Sequence, residues 1–150
     1  MRIKKGLFLS IVFCLLAIAY VIFNTIGVSL TEKDIMHFMC TTIIVPAVLL
    51  LVYGILLGRG STMIEVLPQI SITTLVIFVV SSLSMFYMYN KGYIFDMLKN
   101  TITADNVILN INESITLGTV VQQALIFLVC TCLGCGFGSK LGVILSKIKN

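Results

Sequence analysis

Apolar and polar positions along this chain fall into long blocks rather than alternating. Four stretches hold no Asp, Glu, Lys or Arg: Gly6 to Thr31, Ile35 to Gly58, Val66 to Asn90 and Ser114 to Ser139. Each exceeds the ~20 residues that an α-helix needs to cross a hydrocarbon core. Lipid gives the backbone no hydrogen-bond partners, so crossing segments of this kind are helical. The pattern predicts an all-α integral membrane four-helix bundle with spans at about 6–29, 35–58, 66–90 and 116–139. These leave room for one transmembrane domain, residues 1–150, and none for a separate soluble one. The connections are short except for 91–113, where Tyr93 to Lys99 mixes apolar and charged residues and is expected to lie along the interface.

Composition agrees. Hydrophobic residues make up 59% of the chain and charged residues 11%, against about 25% charged in an average soluble domain. Mean hydropathy is +1.12. The net charge of +4 is no sign of nucleic-acid binding, because its placement follows the spans. Arg2, Lys4, Lys5, Arg59, Lys140, Lys147 and Lys149 fall on one side, and Lys33, Lys91 and Lys99 on the other. The positive-inside rule then puts both termini in the cytoplasm, an N-in/C-in arrangement in a cell membrane. The first span has a basic start and the small-x-small triplet Ala17-Ile18-Ala19, as signal peptides do. Its apolar run continues through Tyr20 to Phe23, so a retained helix is expected. Size, charge placement and composition resemble those of small four-helix membrane proteins of Gram-positive bacteria.

Within the spans, Pro46 sits near the middle of the second. It removes one backbone donor and crowds the Thr42 carbonyl, so a kink is expected there. Thr41 and Thr42 are the residues read as repairing it. The second span is read as ending at Gly54-x-x-x-Gly58, with Arg59-Gly60-Ser61 as the break that follows. Pro68 is read as part of the first turn of the third span.

The fourth span carries Cys130, Gly134, Gly138 and Gly142, small residues recurring every four positions. In lipid this spacing lets two helix backbones approach closely, inside the chain or between chains. Gln122 and Gln123 lie in the same span. Ser71, Thr74 and Ser81 of the third span fall near one face by helical spacing. These polar residues serve either as interhelical glue or as the lining of a polar path.

Cys132-Leu133-Gly134-Cys135 is a C-x-x-C, but it lies within a span and has no second pair in a loop to exchange with, so its cysteines are read as small packing residues. His37 is an interfacial histidine. No span holds a mid-membrane acid or base, the group that coupled transporters such as small multidrug antiporters keep as a coupling site. No catalytic residue, cofactor or metal is assigned, and an enzyme is not expected. The expected partners are the lipid bilayer and either another membrane protein or further copies of this chain. The leading expectation is an accessory, regulatory or immunity-type membrane protein acting through helix packing. The alternative is an oligomeric pore-former or small transporter, holin-like or channel-like, and a membrane thiol oxidoreductase ranks third.

Overall fold

The computed structural model describes residues 2–26, 35–59, 63–93 and 117–148. All are helical apart from the turns at Arg59 and at Lys91 and Gly92, and no strand occurs among them. The first span is α1 (Arg2–Ile26). The second is built of α2 (Ile35–Met39), a π-helical segment (Cys40–Ile44) and α3 (Val45–Gly58). The third is α4 (Met63–Asn90) and the fourth α5 (Leu117–Ile148). All four spans are long and apolar enough to cross a membrane. The expected interfacial turns at 94–99 lie outside the described residues, as does the rest of that connection.

Four crossings alternate in direction. Both described chain ends therefore lie at one end of the bundle, the terminal end, together with Arg59 and Met63. Ile26, Ile35, Asn90 and Leu117 lie at the far end. Spans one and three run parallel to each other, and so do two and four. The tightest pairs are α3 with α5 and α1 with α4. The bundle closes through α1 with α3 and α4 with α5.

Each helix is apolar all round, as a helix in lipid is. Packing instead selects one stripe by size and shape. On α1 the buried positions are Gly6, Ser10, Phe13, Ala17, Val21 and Thr25, spaced three or four apart. On α4 they include Val66, Ile70, Thr73, Ile77, Ser81, Met85 and Met88. The opposite faces present large apolar side chains such as Phe8, Leu15, Leu75, Leu83, Leu128 and Phe137. In water such a surface would aggregate; in hydrocarbon it is the solvated one.

Helix α4 starts earlier than expected. Met63 is its first residue, and Pro68 lies inside the helix rather than in its first turn. The proline's missing donor would have served the carbonyl of Ile64, an exposed residue at the helix start. Its loss there is tolerated. Glu65 then falls in the first turn, where a negative charge favours the helix dipole.

Candidate functional site

The interior polar groups of the bundle lie in layers. The first forms around Pro46. Proline has no N–H, so the Thr42 carbonyl four residues earlier loses its α-helical donor. The chain widens locally into the π-helical turn Cys40–Ile44, in which the Val45 N–H reaches back to the Cys40 carbonyl. The kink expected at Pro46 takes this form, and π-turns are a recognised way to bend a helix. The threonine hydroxyls do not repair the gap. Thr41 Oγ1 donates to the His37 carbonyl at 2.9 Å and Thr42 Oγ1 to the Phe38 carbonyl at 2.8 Å, each one turn earlier. The freed Thr42 carbonyl instead accepts the Gln123 side-chain amide of α5 at 2.8 Å. The other end of that amide, Gln123 Oε1, accepts the Ser82 hydroxyl of α4 at 3.0 Å. One side chain, 1% exposed, thus ties three spans together.

The second layer is centred on Tyr53 of α3, fully buried nearer the terminal end. Its hydroxyl lies 2.8 Å from Ser10 Oγ and 3.2 Å from Thr73 Oγ1. Ser10 spends its one proton on the Gly6 carbonyl at 2.9 Å. A hydroxyl carries a single donor, so Tyr53 donates to Ser10 and Thr73 donates to Tyr53. The Tyr53 ring packs against Phe13 with centroids 5.5 Å apart. Val66, Ile70, Leu57 and Cys135 complete the surrounding cluster.

Two smaller pairs repeat the logic. Thr25 donates to the Val21 carbonyl at 2.6 Å and receives the Ser84 hydroxyl at 2.6 Å. Thr131 donates to the Phe127 carbonyl at 2.7 Å and receives Thr74 at 3.2 Å. At the far end, His37 Nε2 lies 3.2 Å from the Asn24 carbonyl, in the last turn of α1.

The five polar residues read as a possible lining separate in the structure. Gln123 is buried and Gln122 is exposed on the outside of α5. Ser71 is also exposed, bonded to the Leu67 carbonyl at 3.0 Å. Thr74 is half-buried on Thr131. Ser81 is 0% exposed, and its hydroxyl has no hydrogen-bond partner among the described residues.

Of the small-residue ladder, Gly134 and Gly138 meet α3 within the chain. A methyl group at Gly134 would fall on the Leu51 carbonyl oxygen, and one at Gly138 on that of Ile55. The contact is reciprocal. A methyl at Gly54 would meet the Thr131 carbonyl and one at Gly58 the Cys135 carbonyl. Gly54-x-x-x-Gly58 is thus the second half of a close contact as well as the end of a span. Cys130 and Gly142 are half-buried on either side of it. Gly136 faces outward, with open space where its side chain would be.

Cys14, Cys40, Cys130, Cys132 and Cys135 are all free thiols. Among the described residues no group of His, Cys, Asp and Glu side chains could hold a metal ion. Compared with known proteins, the chain matches no family model, no curated protein and no solved structure. Tyr53, Ser10, Thr25, Thr73, Ser82, Ser84 and Thr131 are interior residues that sequence reasoning missed. For the serines and threonines the signal is a hydroxyl on the stripe that each helix buries; Tyr53 carries no such signal.

Proposed function

We propose that the protein is a small accessory or regulatory membrane protein that acts by binding another membrane component through its lipid-facing helix surface. One observation carries the reading. Every interior donor chain described ends on a backbone carbonyl: Gly6, Val21, His37, Phe38, Thr42 or Phe127. A chain of hydroxyls that ends on a carbonyl has no acceptor that can pass a proton on. An amide held at both ends is not free to exchange ligands. The interior therefore serves as a fixed scaffold, and binding is left to the outside.

The outward face of α5 suits that role. Leu133, Phe137 and the bare Gly136 lie there, and a partner helix can come close at Gly136. The termini and the Arg59 turn are assigned to the cytoplasm by their basic residues, in a cell membrane. Cysteine labelling from either side of sealed vesicles tests that orientation.

The purified chain is expected to be monomeric in mild detergent and to leave the ion permeability of liposomes unchanged. A defined homo-oligomer that carries flux, with both lost in Gly136→Leu, would replace this reading with that of a pore-former.

A further inference from the structure

Helices α1 and α4 stay in contact to the far end, where the Thr25 and Ser84 hydroxyls lie 2.6 Å apart. Between them lies an open groove of about 560 Å³. Ile18, Ile22 and Ile26 form one wall, and Val80, Leu83 and Phe86 the other. Both helices run the same way, so the groove descends from Asn90 to the level of Val80. Ten residues of helix rise about 15 Å, half of the ~30 Å hydrocarbon core. The groove thus has the depth of one leaflet.

Its polarity is graded along that depth. Tyr87 and Asn90 stand at the far-end mouth. Below them, the Ser84 and Thr25 hydroxyls line the groove, but Ser84 donates to Thr25 and Thr25 to the Val21 carbonyl. That pair has no proton to offer an occupant. The remaining lining is aliphatic or aromatic. A polar mouth at headgroup level over an apolar trough one leaflet deep matches an amphiphile entering from the far-end leaflet. The lining also separates a lipid from a partner helix. Helices meet closely in membranes over Gly, Ala and Ser. Here the walls are branched and bulky, and a flexible chain follows them better than a rigid cylinder does.

We propose that this groove is a lipid site that holds one acyl chain of a phospholipid, with the glycerol ester region bonded at Asn90 and Tyr87. It is independent of the partner-binding reading above, which uses the outward face of α5.

The test is native mass spectrometry of the purified chain titrated with phosphatidylglycerol in mild detergent, together with its melting temperature. The wild type is expected to keep one lipid at activation energies that strip the rest, and to melt higher with lipid than without. Val80→Phe fills the groove and is expected to lose both effects. Leu128→Phe, on the open face of α5, is expected to keep both. Asn90→Ala leaves the apolar walls intact and is expected to bind about fivefold more weakly, the loss of roughly one hydrogen bond. That variant decides the matter if Val80→Phe fails to fold. Equal lipid retention by the wild type and Asn90→Ala, or by Val80→Phe and Leu128→Phe, overturns the proposal. So does a wild type that retains no lipid, or a dimer whose second copy fills the groove.

Discussion

Gln123 in the fourth span donates its amide to the carbonyl of Thr42 in the second, closing a gap that Pro46 opens. The helix defect and its remedy lie 81 residues apart in sequence. Gln123→Leu leaves a buried carbonyl and the Ser82 hydroxyl without this partner. The expected loss is about 1–3 kcal/mol, read as a lower melting temperature by circular dichroism in detergent. Pro46→Ala restores the N–H within the helix. In that background Gln123→Leu should cost clearly less, and a double-mutant cycle measures the difference.

The contact between α3 and α5 has no space for a side chain. Gly138→Leu is expected to push against the Ile55 backbone and destabilise the bundle by at least ~1–3 kcal/mol, the usual range for overpacking. Gly136→Leu, two residues away and outward, should leave the melting temperature unchanged. Equal effects from the two would mean that the glycines meet something other than α3.

Tyr53→Phe keeps the ring on Phe13 and removes the hydroxyl that joins Ser10 and Thr73. A loss of about 1–2 kcal/mol is expected, because Thr73 then has a buried hydroxyl without this acceptor. Ser10→Ala should weaken the bundle less, since Tyr53 still receives Thr73. The ranking can be read by thermal unfolding of the three proteins side by side.

Neighbouring serines on α4 should behave in opposite ways. Ser82 holds Gln123, whereas Ser81 is buried with its hydroxyl unpaired among the described residues. Ser82→Ala is expected to destabilise by about 0.6–1.7 kcal/mol, from the average to the largest value found for interhelical bonds by double-mutant cycles in a membrane protein. Ser81→Ala removes an unmatched polar group and should be neutral or stabilising. Destabilisation by Ser81→Ala would reveal a partner for that hydroxyl.

Much of the architecture is legible in the chain because lipid makes hydropathy decisive. Charge-free runs and the breaks at Thr31 to Asp34 and at Arg59 mark four apolar helices without any knowledge of packing. What hydropathy cannot rank is rotation about each helix axis. Gln122 and Gln123 are chemically identical neighbours, and it is Gln123 that falls on the buried stripe of Phe127, Thr131, Gly134 and Gly138, where it meets the carbonyl freed beside Pro46. Tyr53 sits in a run of Leu and Val, where a tyrosine looks like any other bulky packing residue. Its role needs Ser10 and Thr73 from two other spans. Gly54 and Gly58 pass for a helix end because Arg59 and Gly60 follow directly. Their facing partners, Gly134 and Gly138, become visible as a pair only once spans two and four are known to run side by side.

The distance in sequence between Thr42 and Gln123 also sets an order of assembly. Spans enter the membrane in the order of synthesis, so the second arrives with its proline and an unmet carbonyl in a medium that offers no water. Its donor comes only with the fourth. Until then the second span is incompletely bonded, and a chain cut after Asn90 keeps that flaw permanently. The glutamine therefore completes the bonding of the second span only once the fourth span is in place.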